Sequence, residues 1–111
     1  MNNDFIEKYS LEYLDFIRDK ACCVSGSSSV DPHHLHAAGS ESIRKKPSAK
    51  HFTAVPLSRN MHTEVHQIGM HKFQEKHRIQ LWQESHYLFI SFLVLKGVLK
   101  WTRCKKLRLQ K

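Results

Sequence analysis

Two stretches of this chain decide its fold: VDPHHLH at residues 30–36 and HFTAVPLSRNMHTEVHQIG at residues 51–69. The first predicts a short strand, and Pro32 restricts that strand to a sheet edge or a strand start. The second begins as another short strand, which stops near Pro56, and its pattern turns helical from about Asn60. Two short strands joined by a long polar loop predict an open hairpin, here followed by a helix.

Helical patterns flank the hairpin on both sides. Residues 4–19 carry apolar side chains at spacings of three and four, which indicates an amphipathic N-terminal helix. Beyond the hairpin helix, residues 70–77 predict a second helix, and a third begins near Ile79. The sequence therefore predicts an α+β fold with helices on both sides of a small sheet.

The length of 111 residues supports one modest core. We expect a docking helix at residues 1–20, a central domain at residues 21–91 and a basic tail at residues 92–111. The apolar run over residues 87–95 is far shorter than the roughly 20 residues that a membrane span needs. We therefore expect no membrane partner.

The charge balance favours a polyanionic partner. Eighteen Lys and Arg residues stand against ten Asp and Glu, so the formal net charge is +8, which suits nucleic acid or an anionic surface. Three cysteines cannot form a closed disulfide framework, and the N-terminus has no signal-peptide pattern. We therefore expect a cytoplasmic protein with reduced thiols. The nine histidines point to metal, acid–base or phosphate chemistry.

The informative histidines form two pairs, His33 with His34 and His62 with His66. Residues i and i+4 share one helix face, so His62 and His66 can bind one metal ion together. Neighbours on a strand point to opposite faces, so only one of His33 and His34 faces that ion directly. An irregular strand end beside Pro32 is the alternative, because it brings both rings in.

Three metal-binding motifs share part of this histidine pattern. The zincin motif H-E-x-x-H needs Glu directly after the first His, whereas Glu64 lies two residues after His62. The deaminase motif H-x-E needs a following P-C-x-x-C, which this chain lacks. The third is a ββα-metal arrangement, with a histidine on the first strand and a metal-binding histidine on the helix. The order of elements in this sequence matches the third.

This order of motifs resembles the HNH endonucleases, specifically the small phage- and prophage-borne HNH proteins, over residues 13–90. The segments that carry the resemblance are YLDFIR at 13–18, CCVSG at 22–26, VDPHHL at 30–35, VPLSRNMH at 55–62, EVHQIG at 64–69, FQEKH at 73–77 and IQLW at 79–82. The resemblance implies a ββα-metal core and metal-dependent hydrolysis of phosphodiester bonds in DNA.

The resemblance also implies a role for each histidine of the two pairs. His34 would be the general base that activates water. His33 and His62 would bind one divalent ion (Mg, Mn, Ni or Zn). His66 would be a further ligand of that ion or a phosphate contact.

The chain departs from the HNH pattern in two places. Thr53 falls at the middle Asn of HNH, which orients the general base, and His51 falls where relatives often carry Asp. The positions at which many relatives hold a structural zinc are Cys22, Ser25, Ser58 and Met61. Structural zinc needs four nitrogen or sulfur ligands. Only Cys22 of these four residues can supply a thiolate, so we expect no structural zinc here.

The loop between the strands is basic and lies beside the predicted site. Its cationic residues are Arg44, Lys45, Lys46 and Lys50. A phosphate clamp is needed at this place, and we assign these residues to DNA binding; a solvated loop is the alternative.

Two other classes of function remain open. Thr53 and the lost cysteines favour a non-catalytic nucleic-acid-binding module derived from an HNH nuclease. The apolar and then basic character of residues 87–111 is typical of a membrane-surface tail. The sequence predicts a metal-dependent DNA endonuclease, with the binding module as the main alternative.

Overall fold

The computed structural model of the chain describes residues 3–36 and 45–100. Within these ranges the chain forms a two-stranded antiparallel sheet and four α-helices, so the predicted α+β class is confirmed. The elements in chain order are α1 (Asn3–Arg18), β1 (Asp31–His34), a 3₁₀ helix (Ala49–Thr53), β2 (Ala54–Leu57), α2 (Arg59–Ile68), α3 (Met70–His77) and α4 (Leu81–Leu95).

The hairpin pairs β1 with β2 in antiparallel register, with His33 opposite Val55 and Pro32 opposite Pro56. The carbonyl oxygen of Pro56 accepts a hydrogen bond from the backbone N–H of Cys23, so the backbone polar groups of Pro56 point away from β1. The two prolines therefore occupy a pair that exchanges no ladder hydrogen bonds. The missing N–H groups cost the sheet nothing at this point, and the predicted hairpin is confirmed.

The second strand is shorter than predicted, because residues 51–53 belong to the 3₁₀ helix. The side chain of Ser48 caps this helix by accepting a hydrogen bond from the backbone N–H of Lys50. Phe52 is buried in the turn and packs against α1 and α4. Capping and burial together fix a turn where the local pattern predicted strand.

The first apolar core joins α1, α4 and the 3₁₀ helix through aromatic rings. The ring of Tyr13 lies 5.1 Å from Phe92, edge to face, and 5.6 Å from Phe52, measured between centroids. Such aromatic pairs contribute about 0.5–1.5 kcal/mol beyond the area that they bury. α1 follows its predicted range closely and is an integral part of this core.

The second apolar core lies on the other side of β2. Ala54 belongs to the first core, whereas Val55 and Leu57 pack in the second against Phe73 of α3 and Leu81 of α4. Every residue of β2 is buried. β2 is therefore held between two cores and gives β1 a rigid support.

The helices that follow β2 begin and end close to their predicted positions. The side chain of Ser58 caps α2 by accepting a hydrogen bond from the backbone N–H of Met61, and Gly69 ends α2 with a φ of 88°. Only glycine adopts such a φ without strain, which explains the end of the helix at this residue. In the described part of the chain, no helix combines the length and apolarity that crossing a bilayer requires.

Candidate metal centre

Three imidazoles from two elements meet beside the hairpin. His33 comes from β1, and His62 and His66 come from successive turns of α2. The ring centroids are 5.0 Å apart for His33 and His62, 5.1 Å for His33 and His66, and 4.9 Å for His62 and His66. One nitrogen atom of each ring lies within 4.8 Å of the other two. We call these three residues the imidazole triangle.

The backbone explains why only one histidine of the strand pair joins the triangle. Successive side chains on a strand point to opposite faces. His33 therefore faces α2, while His34 faces the 3₁₀ helix and contacts His51. On α2, the spacing of four residues puts His62 and His66 on one face. β1 is therefore a regular strand rather than an irregular strand end, and only His33 of the two neighbours joins the triangle.

The environment of His33 favours the neutral form of its ring. The residue is buried, with 9% of its surface exposed. Burial, and then the neighbouring rings of His62 and His66, lower the pKa of His33 to about 4. The ring is therefore neutral at pH 7 and has a lone pair to donate, as metal binding requires.

The donor set fits a transition metal better than magnesium. Imidazole nitrogen is a good ligand for zinc, nickel, copper and iron, whereas Mg²⁺ takes oxygen ligands. Three protein ligands also leave coordination positions open, which is typical of catalytic rather than structural zinc sites. Among the residues that the structure describes, the imidazole triangle is the one group of three or more His, Cys, Asp or Glu side chains with this arrangement.

Asp31 is a site residue that the sequence analysis missed. Its Oδ2 atom lies 3.6 Å from Nδ1 of His62 and accepts a hydrogen bond of 2.9 Å from Nε of Arg59. Burial raises the pKa of Asp31, but Arg59 and then His62 outweigh burial and hold that pKa below its usual value. A carboxylate beside one ring nitrogen of a histidine is the usual partner that turns the other nitrogen toward a metal. The sequence feature that could have identified Asp31 is the alternation of side chains along a strand, which puts Asp31 and His33 on the same face of β1.

A cleft of about 460 Å³ opens beside the triangle. Its described lining residues are Leu14, Arg18, Asp31, Pro32, His34, Arg59 and His62. The cleft therefore brings the predicted base, His34, and one predicted metal ligand, His62, to a common space. The cations on its walls are Arg18 and Arg59, which the sequence analysis did not single out.

The imidazole of His51 contacts His34. Nε2 of His34 lies 2.8 Å from Nδ1 of His51, and Nε2 of His51 lies 2.8 Å from the carbonyl oxygen of Lys46. His51 has no exposed surface. The sequence analysis gave His51 no role. It predicted a strand at this residue, whereas the 3₁₀ helix is what directs the His51 ring toward His34.

The hydroxyl of Thr53, the predicted orienting residue, makes two hydrogen bonds to the backbone. It donates a hydrogen bond of 2.8 Å to the carbonyl oxygen of Lys50 and accepts one of 3.1 Å from the backbone N–H of His36. It thus fastens the end of β1 to the 3₁₀ helix. His51, rather than Thr53, takes the place beside the predicted base.

A family model described as Protein of unknown function (DUF968) matches residues 6–94. This chain belongs to the DUF968 family. The matched range of the DUF968 chain includes both strands, the imidazole triangle, His34 and His51. Comparison with curated proteins and with solved structures finds no match.

The loop lysines of the DUF968 chain do not line the cleft. Lys45 and Lys46 are exposed and Lys50 is half-buried, but the described walls of the cleft contain none of them. Arg44, the fourth residue of the predicted clamp, lies outside the described residues. The assignment of these lysines to DNA binding stays a prediction, and the cations that line the cleft are Arg18 and Arg59.

The thiol of Cys22 lies at the corner where the HNH resemblance implies a zinc site in relatives. In the DUF968 chain, Sγ of Cys22 accepts backbone hydrogen bonds from Val24 at 3.5 Å and Ser25 at 3.3 Å. Burial raises the pKa of this thiol, but hydrogen bonds from Ser25, Ser58 and Val24 outweigh burial and lower the pKa to about 7. Hydrogen bonds and the second core thus hold this corner together.

Proposed function

We propose that this chain is a metal-dependent DNA endonuclease of the HNH type, in which β1, β2 and α2 form a ββα-metal core. The observation that carries the proposal is the imidazole triangle, with His34 and His62 lining one cleft. The HNH-like order of motifs in the sequence supports the same function.

In the proposed mechanism, His34 on one face of β1 is the general base and His33 on the other face is a metal ligand. His34 takes a proton from the attacking water, a step for which an imidazole is suited near neutral pH. His33, His62 and His66 would hold a divalent ion, and Asp31 would orient His62. When bound, such an ion neutralises charge that develops on the scissile phosphate and the leaving oxygen.

Charge supports DNA as the substrate. The chain carries a formal net charge of +8. Arg18 and Arg59 line the cleft, and the guanidinium group matches the geometry of phosphate oxygens. Each of the two arginines has N–H donors in addition to the one that it gives to its aspartate neighbour. Backbone phosphates therefore have two guanidinium partners in the lining of the cleft.

Cleavage of a supercoiled plasmid tests the proposal. Chelator-treated protein is incubated with the plasmid and one of Zn²⁺, Ni²⁺, Mn²⁺ or Mg²⁺, and nicked and linear products are measured on a gel. His34→Ala should cleave about 10²–10⁴-fold more slowly than the parent, which is the usual contribution of a general base. His62→Ala should weaken metal binding, and excess metal should partly restore cleavage.

The matched control is His71→Ala, because His71 is an exposed histidine on α3 that lies outside the cleft. This variant should cleave like the parent. If the parent binds DNA but cleaves none with any of the four ions, the endonuclease proposal is wrong and the binding module becomes the better description. If His34→Ala cleaves as fast as the parent, His34 is not the base.

A further inference from the structure

The partly buried contact between His34 and His51 bears on which nitrogen of His34 carries the hydrogen. We infer that His51 is a positioning residue that holds the proton of His34 on Nε2, so that Nδ1 of His34 is the basic nitrogen. The catalytic consequence rests on the proposed function, whereas the position of the proton does not.

The direction of each hydrogen bond follows from elementary chemistry. The carbonyl oxygen of Lys46 only accepts, so Nε2 of His51 carries a hydrogen. A neutral imidazole has a single N–H, so Nδ1 of His51 is then an acceptor. Its partner at 2.8 Å is Nε2 of His34, which must therefore be the donor. When both rings are neutral, the remaining lone pair of His34 lies on Nδ1.

The surroundings of His51 hold its ring in one orientation. The ring is fully buried in the 3₁₀ helix. Ser48 caps that helix, and its backbone N–H donates a hydrogen bond of 3.1 Å to the hydroxyl of Ser10, a buried residue of α1. The neighbouring ring of Phe52 is fixed in the first core. Because both nitrogens of His51 are bonded and its helix is anchored at two points, turning the ring would break two partly buried hydrogen bonds.

A partner of this kind controls a base without touching the substrate. Where a buried group fixes the tautomer of a catalytic histidine, its loss leaves the ring in place but puts the proton on the wrong nitrogen in part of the population. For comparison, the outer partners that orient metal ligands typically contribute about 10–100-fold to affinity or activity. We expect an effect of this size on kcat, with KM unchanged, because His51 does not line the cleft.

Nitrogen NMR of the full chain tests the position of the proton without any activity. The metal-free protein, labelled with ¹⁵N in histidine, is measured above the imidazole titration range, at about pH 8.5. The expected result is hydrogen on Nε2 of both rings and a scalar coupling between Nε2 of His34 and Nδ1 of His51 across the hydrogen bond. Hydrogen on Nδ1 of His34, or no coupling between these two atoms, would overturn the inference.

Two variants separate the hydrogen bond from the packing. His51→Phe keeps a buried ring but removes the acceptor, so the coupling should vanish and kcat should fall by about 10–100-fold. His51→Asn retains an oxygen acceptor near the position of Nδ1 and should recover part of that loss. Equal losses in the two variants would assign His51 a purely structural role. If His51→Phe does not fold, the coupling in the parent still decides, and the oxygen of Asn in His51→Asn is expected to keep hydrogen on Nε2 of His34.

The outcomes also separate this inference from the proposed function. A parent that shows the coupling but cleaves no DNA contradicts the endonuclease proposal and supports the proton position. A parent that cleaves DNA but shows no coupling contradicts the inference alone.

Discussion

Asp31 and His33 lie two residues apart on β1 and face the same side of the hairpin, so the carboxylate of one and the imidazole of the other both reach His62. The carboxylate contacts Nδ1 of His62 at 3.6 Å and is itself held by Arg59. This arrangement links the strand and the helix at the point where the metal centre would assemble. It leads to the first prediction.

Removing the charge of Asp31 should weaken metal binding. Asp31→Asn keeps the shape of the side chain but loses the carboxylate, and we expect metal affinity to fall by about 10–100-fold, the usual effect of a lost outer partner. Competition with a chromophoric chelator measures this change. Asp19→Asn is the matched control, because Asp19 is exposed and lies outside the cleft. An unchanged affinity for Asp31→Asn would show that His62 needs no such partner.

The imidazole triangle should prefer Zn²⁺ or Ni²⁺ over Mg²⁺. Nitrogen donors suit the first two ions, and Mg²⁺ gains little from them. In a calorimetric titration, a large excess of Mg²⁺ should not displace zinc, and His66→Ala should bind zinc more weakly than the parent. Tight Mg²⁺ binding that survives His66→Ala would place the metal elsewhere.

Acid should destabilise the metal-free chain between pH 6.5 and 4. The pKa of His33 is about 4 in the fold and about 6.5 in an unfolded chain. Within that window the unfolded state binds a proton that the folded state does not, so the free energy of unfolding falls as the pH falls. Above pH 6.5 both states are neutral at this residue, and its contribution no longer changes.

Urea unfolding at several pH values measures this effect. The parent should lose stability with a steeper slope than His33→Asn, and the difference should approach one proton, about 1.4 kcal/mol per pH unit. Parallel slopes for the two proteins would mean that His33 takes up its proton equally in both states.

Zinc bound by the purified chain should depend on the imidazole triangle and not on Cys22. Metal analysis should find His62→Ala depleted of zinc and Cys22→Ala as loaded as the parent. Cys22→Ala should still lower the free energy of unfolding, by about 1–3 kcal/mol, because two backbone N–H groups lose their acceptor. Tightly held zinc that survives His62→Ala would instead reveal a structural site.

DNA binding should weaken as salt increases, and Arg18 should contribute to it. Arg18→Gln should lower affinity for all sequences alike and reduce the salt slope by about one, because a phosphate contact is lost. Filter binding at several salt concentrations measures both quantities. Arg78→Gln is the control, since Arg78 is exposed at the end of α3.

The paired change Lys45→Ala and Lys46→Ala tests the loop separately. These residues do not line the cleft, so we expect a smaller loss of affinity than for Arg18→Gln. An equal or larger loss would return the main phosphate contacts to the loop. A loss confined to one DNA sequence would indicate base contacts rather than phosphate contacts.

Local patterns were sufficient to predict most of the elements and the meeting of the three imidazoles. The range of α3 matches its prediction residue for residue. Its signals are all local, because Gly69 precedes the helix, Phe73 is its buried residue and its last turn is basic. The spacing of His62 and His66 on a helix, and the position of His33 on a strand, require no tertiary information. These features are local, and the triangle follows once the hairpin and α2 are adjacent.

The partners of these residues depend on contacts distant in sequence. The segment that carries His51 has strand-like apolar residues, and only the cap at Ser48 and the burial of Phe52 against α1 turn it into a 3₁₀ helix. The pairing of Asp31 with Arg59 crosses from β1 to α2. Periodicity reports the face on which a side chain lies, but it does not report which side chain lies opposite.

The facing prolines of the hairpin have a consequence for assembly. Pro32 and Pro56 direct their backbones outward, so neither edge of the sheet offers an N–H at its centre to an incoming strand. Bare strand edges are the usual starting point for aggregation and strand exchange. Proline discourages such pairing at the β1 edge, whereas at the β2 edge the backbone N–H of Cys23 already bonds the carbonyl oxygen of Pro56. The histidine-bearing strand is thereby protected from pairing with a neighbouring chain.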